Sequence, residues 1–479
     1  MRRYGDAGPI AARAASGVLA IVRTSGSLEA LARVFSRPRA LLEAPGNSVV
    51  YGWIVEPSED GSPAGAPPAA APPRRVDEVL VSVYRAPKSY TGEDAADISC
   101  HGGEAVIRAV LETLRKAGFA DALPGEFSFR AFMNGRLDLT RAESVMELVS
   151  AKTGAAAEKA LRRLSGALER EFHIIREKLL ESLSAAELFL DYPEDEIDGE
   201  TAEALPHRAA AEEALKRLEA LAASYRRERL YREGAAVVIA GRPNAGKSSL
   251  FNVLLREDRS IVAENPGTTR DWIEASLSFD GVPVRLIDTA GLREASPDPV
   301  EEIGVGRSRE MLERADLVVY VVDGTAGLNG EDRAFLSGPR RKKIIPVWNK
   351  ADIVPPVSLP PELFSPDKSA VLSARTGEGT ETLCRLIGEN LLESHSSAFP
   401  DLPEAAFDFA GLGSERQKAL VDRAISSLNE ALLLADRKEA LELIAPFLRE
   451  ALDAAGEITG EVSAAGVLEE MFSRFCVGK

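Results

Sequence analysis

The sequence predicts a multidomain protein in which an α/β domain is inserted into an all-helical domain, after an N-terminal α+β domain. Three observations support this fold class. At 479 residues, the chain is too long for a single hydrophobic core. Strand and helix patterns alternate between residues 234 and 392, which is typical of a parallel sheet. The segments on both sides of this region carry the three- and four-residue apolar spacing of helices.

The composition is that of a globular protein and excludes several other classes. The longest apolar runs, such as residues 317–322, have the length of a strand, so we expect no membrane span. Residues 1–17 lack the apolar core of a secretory signal, and three cysteines without CxxC spacing favour a reducing compartment. We therefore expect a cytoplasmic protein. The net charge of −17 argues against a simple electrostatic nucleic-acid binder.

The first 120 residues have a mixed pattern. "GVLAIVRTSG" (17–26) and "VDEVLVSVYRA" (76–86) predict strands, and "GEAVIRAVLETLRKAGF" (103–119) predicts an amphipathic helix. The Pro/Ala-rich residues 62–73 fit neither a sheet nor a helix, so we expect a surface loop insertion or a hairpin tip there.

A long apolar stripe follows, in which residues recur at spacings of three and four. Its members are Leu161, Leu164, Leu168, Phe172, Ile175, Leu179, Leu183, Ala186 and Leu190. The stripe ends at the acidic segment around Pro193, and a second helix is predicted over about residues 203–231. The stripe is either the core of a helical bundle, which we favour, or a coiled-coil face for a partner.

The α/β region lies between two helical stretches, which indicates insertion into one discontinuous helical domain. Its predicted strands are "AAVVIAG", "PVRLIDTAG", "DLVVYVVDG", "KKIIPVWNK" and "SAVLSAR". We expect four segments, an α+β domain at 1–120, helical residues 121–233, the inserted domain at 234–392, and helical residues 393–479.

"GRPNAGKSS" (241–249) follows a strand and precedes a helix, as a phosphate-binding loop requires. Gly241 and Gly246 let the backbone wrap so that amide N–H groups face phosphates. Lys247 is expected to reach the β and γ phosphates, and the Ser248 hydroxyl to bind Mg²⁺.

Four further motifs accompany this loop in the order that a Ras-like GTPase domain requires. "PGTTRD" (266–271) supplies Thr269 as a second magnesium ligand, and "DTAG" (288–291) places a carboxylate near the metal through water. "NKAD" (349–352) provides a carboxylate that accepts two hydrogen bonds from guanine, and "SAR" (373–375) completes the base pocket. The predicted GTP-binding residues are Asn244, Ala245, Gly246, Lys247, Ser248, Ser249, Thr268, Thr269, Asp288, Thr289, Ala290, Gly291, Asn349, Lys350, Asp352, Ser373, Ala374 and Arg375.

Hydrolysis needs a group that positions water, and Leu292 stands where Ras-type enzymes have a glutamine. Asn244 could instead help to hold a monovalent cation beside the phosphates, with oxygens of Ala263, Asn265 and Thr268, or it could only stabilise the loop. Glu301 is an acidic candidate for orienting water, although a solvated carboxylate at a helix start is the simpler interpretation.

These motifs and three flanking segments resemble the tRNA modification GTPase family MnmE (TrmE). The segments are "SYTGEDAADISCHGG" (89–103), "LPGEFSFRAFMNGRLDLTRAESVMELVSAKT" (123–153) and the terminal "FSRFCVGK". The resemblance covers essentially the whole chain. Two departures are the short "RAASGVLA" after "PIAA" and the Pro/Ala insertion.

The resemblance implies a potassium-activated GTPase that adds an aminomethyl or carboxymethylaminomethyl group to C5 of the wobble uridine, position 34, of certain tRNAs. It implies GTP, Mg²⁺, K⁺ and 5,10-methylene- or 5-formyl-tetrahydrofolate as cofactors. It also implies a homodimer that joins the FAD- and NADH-dependent protein MnmG (GidA) in a heterotetramer or larger complex. Asn244 then becomes a potassium ligand and Glu301 the water-orienting acid. Arg23, Glu93, Arg136 and Lys479 fall where the family contacts folate, in a folate-binding-like N-terminal domain.

The C-terminal "FCVGK" gains an interpretation from this resemblance. Lys479 supplies charge for a folate, and Phe472 and Phe475 anchor the tail by burial. Cys476 is either a nucleophile close to the one-carbon chemistry or a buried structural cysteine. Two other functions stay open at this stage: a ribosome-assembly GTPase that binds RNA, and a scaffold that binds GTP without turnover. A ribosome-assembly GTPase is expected to carry an RNA-binding appendage with a GXXG segment, and no such segment follows residue 392.

Overall fold

The computed structural model describes residues 9–13, 18–57, 73–191, 205, 207–256, 274–288, 311–312, 314–338, 343–355, 359–393, 411–461, 468, 471–473 and 475. The chain forms two compact units, one of residues 1–146 and 453–479, the other of residues 147–452. The four-segment division from the sequence has other boundaries and stays a prediction. The loop predicted at residues 62–73 lies outside the described residues, apart from Pro73.

The first unit contains a six-stranded sheet in the order β3-β4-β5-β2-β1-β6. Its strands are β1 (Pro9–Arg13), β2 (Leu19–Ser25), β3 (Ser48–Val55), β4 (Arg75–Tyr84), β5 (Ala95–His101) and β6 (Ala120–Asp121). Neighbours are antiparallel except for the parallel pair β1 and β6. Its helices are α1 (Leu28–Ala32), α2 (Pro38–Glu43), α3 (Glu104–Lys116) and α4 (Glu126–Met133). The two predicted strands and the predicted helix are confirmed.

The sheet has one covered and one open face. Alternate residues such as Val22 and Val81 are fully buried in the core that α3 completes. On the opposite face, Ile21, Tyr51 and Leu80 are about half exposed, at 53%, 48% and 49%. Leu80 pairs with Tyr51 on one side and, through Ser99, with Ile21 on the other. The three side chains therefore form an apolar row across the open face.

The second unit is helical at both ends of its sequence. Its helices are α6 (Gly154–Leu164), α7 (Ala167–Asp191), α8 (Arg208–Glu233) and α12 (Glu415–Asp436). Two further helices, α5 (Leu139–Ser150) and α13 (Leu441–Thr459), begin in one unit and end in the other. The apolar residues of α7 that the sequence placed on the stripe are buried from Leu168 to Ala186, whereas Leu190, the last residue of the stripe, is 38% exposed. The bundle-core interpretation of this segment is therefore the one the structure supports.

The stripe is not one continuous helix, which corrects the sequence-based expectation. The chain breaks between α6 and α7 at Gly166, whose φ of +85° lies outside helical space. Leu161, which belonged to the predicted stripe, is 55% exposed, and α6 instead buries Ala156, Ala160 and Arg163. Periodicity alone does not reveal the break, since the apolar spacing runs on through Ser165 and Gly166.

The inserted α/β region has a six-stranded sheet in the order β12-β11-β10-β7-β9-β8. Its strands are β7 (Ala235–Gly241), β8 (Glu274–Phe279), β9 (Val282–Asp288), β10 (Leu317–Asp323), β11 (Lys343–Asn349) and β12 (Ala370–Val371). All neighbours are parallel except β8 and β9. Its helices are α9 (Lys247–Arg256), α10 (Gly330–Ser337) and α11 (Thr380–Glu393). The five predicted strands are confirmed, and their carboxyl ends share one edge.

A buried ion network fastens the helices of the second unit. Arg163, 3% exposed, bonds to Glu147 and Glu228 at 2.6 and 2.8 Å, and to the Gly411 carbonyl at 3.2 Å. Lys159 bonds to Glu228 at 2.6 Å. Each buried charge thus has an opposite charge within hydrogen-bond distance, the condition under which burial is tolerated.

The turn between β8 and β9 docks on the helices of the same unit. The Thr153 hydroxyl donates to the Gly281 carbonyl at 2.7 Å and accepts the Ala156 N–H at the start of α6. Gly281 has φ +78°, and a Cβ there would lie 2.6 Å from Ala155 Cβ. The turn therefore requires glycine for both backbone and space.

We expect Gly281→Ala to lower the free energy of unfolding by roughly 2–4 kcal/mol, because it adds backbone strain to a steric clash. The measurement is urea unfolding of the full chain followed by circular dichroism. Gly377→Ala is the matched control: φ is +84°, but no described atom lies within 4 Å of the added Cβ. This control retains the strain alone, about 1 kcal/mol. Equal losses in both variants would show that close packing at Ala155 contributes nothing.

Candidate functional site

The loop between β7 and α9 has the backbone geometry of a phosphate cradle. Gly241 has φ +143°, and a Cβ there would lie 2.2 Å from the Val321 carbonyl oxygen. Asn244 has φ +61°, a left-handed conformation that asparagine tolerates better than most residues. Gly246 has φ +94°, and a Cβ there would lie 2.2 Å from Asn349 Nδ2. The glycines are thus required by close backbone packing as well as by turn geometry.

The first residues of α9 carry the polar groups that face this cradle. Lys247, 7% exposed, donates from Nζ to the Arg242 carbonyl at 2.9 Å. The Ser248 hydroxyl donates to Asp288 Oδ2 at 2.8 Å, and Asp288 is 1% exposed at the end of β9. A hydroxyl and a carboxylate oxygen are the hard ligands that Mg²⁺ takes alongside phosphate oxygens. The donor set therefore fits a magnesium nucleotide.

The base-binding side is assembled around Asn349, which is 2% exposed at the end of β11. Its Nδ2 donates to the Ala245 carbonyl at 2.8 Å, and its Oδ1 accepts the Ala374 N–H at 2.9 Å. The structure therefore brings the predicted "NKAD", "SAR" and phosphate-loop segments together through one side chain. Ser373, 1% exposed, precedes Ala374.

Two charged residues of "NKAD" have described partners. Lys350, at φ +65°, donates from Nζ to Asp323 Oδ2 at 2.6 Å. Burial opposes ionisation of Asp323, but hydrogen bonds from Lys350 and Thr325 outweigh it, and the pKa lies below its usual value. Asp352 pairs with Arg375 at 2.8 Å. A hydrogen bond from the Ser373 hydroxyl, together with the Arg375 charge, lowers the pKa of Asp352 and favours its ionised form.

Sequence reasoning missed Asp323, which positions the lysine expected along the base. Its signal was available, since the residue directly follows the buried run of β10 at the carboxyl edge of the sheet. Several predicted residues lie outside the described part of the chain: Ala263, Asn265, Thr268, Thr269, Thr289, Ala290, Gly291, Glu301, Cys476 and Lys479. Ser249 is described and exposed near the start of α9.

In the first unit, Arg23 and Arg136 contact the segment 89–93, which contains the third predicted folate residue, Glu93. Arg23 forms a two-point ion pair with Asp97, at 2.9 and 3.2 Å, and its guanidinium carbon lies 5.8 Å from the Tyr90 ring centre. Arg136 donates from Nε to the Ser89 carbonyl at 3.1 Å. Glu93 accepts the Ser25 hydroxyl at 2.8 Å.

Arg130 of α4 was missed by sequence reasoning and is central to this region. It contacts both oxygens of Glu93, at 3.1 and 3.0 Å, and also pairs with Glu126. Nothing in the local sequence marks Arg130, because Glu93 lies 37 residues away. The predicted anchors of the tail, Phe472 and Phe475, are 4% and 7% exposed beside Gly125, which precedes α4.

A mostly parallel sheet whose carboxyl edge carries a phosphate loop, the Ser248–Asp288 pair and the joined "NKAD" and "SAR" segments defines a Ras-like P-loop GTPase domain. Sequence comparison extends the match beyond this domain. Residues 8–136 match the family model "GTP-binding protein TrmE N-terminus" and residues 139–476 match "MnmE helical domain". The chain therefore belongs to the MnmE family of tRNA modification GTPases, and it is a GTP hydrolase.

Similar proteins span this chain from end to end. The tRNA modification GTPase MnmE of Treponema denticola is 41% identical over 493 residues, 100% of this chain and 99% of the relative. That of Carboxydothermus hydrogenoformans is 40% identical over 475 residues, 97% of each chain. Among solved structures, a variant of Aquifex aeolicus Era bound to GDP·AlF4⁻ is 28% identical with a TM-score of 0.27, covering 40% of this chain and 66% of that one. The family assignment rests on the sequence matches.

Within the described residues, the search for a helix long and apolar enough to cross a membrane finds none.

We expect Asp352→Asn to weaken GTP binding by about a hundred-fold, because two charge-assisted hydrogen bonds to guanine are lost. The same variant should gain affinity for xanthosine triphosphate, since the asparagine N–H can donate to the 2-oxo group that replaces guanine's amine. The measurement is competition of GTP, XTP and ATP against a fluorescent GDP. Asp367→Asn, at an exposed carboxylate, is the control and should bind GTP normally. An Asp352→Asn protein that still prefers GTP contradicts the assignment.

Proposed function

We propose that this chain is a potassium-activated GTPase that takes part in modifying C5 of the wobble uridine of certain tRNAs. The group added is an aminomethyl or carboxymethylaminomethyl group, and its one-carbon unit comes from 5,10-methylene- or 5-formyl-tetrahydrofolate. The observation that carries the proposal is the extent of the family match. Relatives named tRNA modification GTPases cover 97–100% of this chain, including the flanks that a GTPase domain alone does not need.

The proposal divides the work among segments. Residues 1–120 bind folate and dimerise, residues 121–233 and 393–479 form the helical domain, and residues 234–392 bind and hydrolyse GTP. We place the enzyme in the cytoplasm, where tRNA is found and where a protein with few cysteines and no CxxC spacing is expected.

The GTP site works by positioning and electrostatics, as phosphoryl transfer requires. Lys247 would reach the β and γ phosphates, Ser248 and Thr269 would hold the metal, and Asp288 would contribute its carboxylate to the same site. When bound, Mg²⁺ neutralises charge on the β and γ phosphates. Asp352 reads guanine, and Lys350, held by Asp323, lies along the base.

Potassium activation is supported by the absence of the water-orienting glutamine that Ras-type enzymes carry after their "DxxG" motif. Leu292 stands at that position, and its side chain has no hydrogen-bonding group, so Glu301 takes the role of orienting water. A bound K⁺ would supply positive charge where other GTPases use an arginine. Asn244 is exposed on the phosphate loop in a left-handed conformation, and it would offer one oxygen ligand, with Ala263, Asn265 and Thr268 as the others.

The folate site is supported by the contacts of Arg23 and Arg136 with the segment 89–93, to which Glu93 belongs. Cationic groups suit the glutamate tail of a folate, and a carboxylate acceptor suits the N–H groups of its pterin. Lys479 adds charge from the C-terminus, and burial of Phe475 fixes the chain one residue before Cys476. We assign Cys476 to the vicinity of the one-carbon chemistry.

Partners follow from the same proposal. The apolar row of Ile21, Tyr51 and Leu80 on the open sheet face is the surface we assign to the homodimer. The flavoprotein MnmG (GidA), with FAD and NADH, supplies the redox chemistry, in a heterotetramer or larger complex with tRNA.

Deleting the gene should remove the C5 substituent from the wobble uridine, measured by mass spectrometry of tRNA nucleosides. Replacing the gene with Arg23→Ala should give the same loss while the purified variant hydrolyses GTP at the normal rate, because Arg23 lies in the other unit. Lys88→Ala removes an exposed charge nearby and should leave the nucleoside unchanged. Full modification in the deletion strain overturns the function. Full modification in the Arg23→Ala strain alone overturns only the folate assignment.

GTP hydrolysis should be faster in KCl than in NaCl of equal ionic strength, by about a hundred-fold. Asn244→Gly should abolish this difference, since glycine keeps φ +61° without strain and removes the amide oxygen. Asn244→Asp retains an oxygen at the same place and should retain the preference for KCl. Equal rates in both salts for the unaltered protein would refute potassium activation. A salt preference that survives in Asn244→Gly would place the cation elsewhere.

A further inference from the structure

Arg242, the second residue of the phosphate loop, directs its side chain toward the start of α10. Its Nε lies 3.2 Å from Asp332 Oδ1 and its Nη2 lies 3.0 Å from Asp332 Oδ2. The same Nη2 donates to the Gly327 carbonyl at 2.7 Å. Asp332 is fully buried, whereas the Arg242 side chain is 23% exposed. The loop is thus tied to a second element by a two-point ion pair.

The carboxylate that receives Arg242 is itself held from two other directions. The Tyr320 hydroxyl of β10 donates to Asp332 Oδ1 at 3.0 Å, and the Asn329 N–H donates to Oδ2 at 3.1 Å. The Asn329 side chain accepts the Asp332 N–H at 2.9 Å and completes a capping box. Tyr320 is stacked on Phe335, with ring centres 4.2 Å apart. Arg242 therefore binds to a fixed acceptor.

The main chain of Arg242 holds the lysine of the phosphate loop. Its carbonyl accepts from Lys247 Nζ at 2.9 Å and from the Ala245 N–H at 3.3 Å. The side chain and the carbonyl belong to one residue, so fixing the guanidinium restricts where the carbonyl can lie. The clamp on Asp332 thereby sets the first turn of the loop that must receive the phosphates.

We propose that Arg242 is a positioning residue for the GTPase reaction, acting through the Asp332 clamp on the phosphate loop and Lys247. The clamp keeps the loop in its nucleotide-ready shape before GTP arrives, so that binding does not have to order it. Loss of the clamp weakens binding of the phosphates and lowers turnover, since a displaced lysine stabilises the transition state less.

The test compares Arg242→Ala and Arg242→Lys with the unaltered full-length protein. Affinity is measured with fluorescent GTP and GDP, and turnover is measured as the rate of phosphate release from GTP in KCl. Arg242→Ala should lose about ten-fold or more in affinity, as well as turnover at saturating GTP. Arg242→Lys keeps the charge and one contact, so it should fall between the two. Tyr320→Phe, which removes one bond to Asp332 and keeps the stacked ring, should lose about two-fold, and it remains informative if Arg242→Ala does not fold.

Two controls separate positioning from stability. Glu331→Gln alters an exposed acid next to Asp332 and should change nothing. Gly281→Ala, at the turn between β8 and β9, should lower the melting temperature, while the affinity at 25 °C stays within two-fold. The proposal is overturned if Arg242→Ala binds GTP within two-fold of the unaltered protein with unchanged turnover, or, where Arg242→Ala does not fold, if Arg242→Lys and Tyr320→Phe both leave affinity and turnover unchanged. It is equally overturned if Gly281→Ala loses as much affinity as Arg242→Ala.

Discussion

The side chain of Asn349 is the interaction on which the geometry of the GTP site depends. It is buried, so its amide must be satisfied within the protein, and both ends of the amide are used on main-chain groups of other loops. One partner lies 104 residues away in the phosphate loop and the other 25 residues away beside Ser373. Displacing any of the three segments would leave a buried donor or acceptor unpaired, which costs about 1–3 kcal/mol.

The same arrangement recurs elsewhere in the second unit. Asp332 joins β10, α10 and the phosphate loop, as Arg163 joins α5, α6 and α8. In each case a buried polar side chain serves several elements at once, and apolar packing surrounds it. Such groups contribute little net stability compared with well-packed apolar residues, but moving any element that they join would leave a buried polar group unpaired. The GTP site is thus held by position-specific contacts, and the sheet provides the frame.

The strands and motifs of the α/β region could be predicted from the sequence, whereas these side-chain contacts could not. Apolar runs located the strands of the inserted region. The motifs that contain Lys247, Asp288 and Asp352 each follow a predicted strand, and they identified GTP as the ligand because parallel strands bring their carboxyl ends together. The break at Gly166 and the clamp on Arg242 were not predicted. The first depends on a single backbone angle inside an unbroken apolar period. The second joins two residues that are 90 positions apart in the sequence, and their contact is seen only in the folded chain.

In the first unit, the residues proposed to bind folate already have hydrogen-bond partners that fix their orientation. A guanidinium carries five N–H donors, and Asp97 engages Arg23 through Nε and Nη2. The ion pair therefore orients the fork without using all of its donors, and the Arg23 side chain is still 34% exposed. Glu93 is likewise oriented by Ser25 and Arg130. Because both groups are held before any ligand binds, a carboxylate and an N–H donor of the ligand meet partners whose conformational entropy has already been lost on folding. Such preorganisation lowers the entropic cost of binding a ligand that carries both a carboxylate and N–H donors.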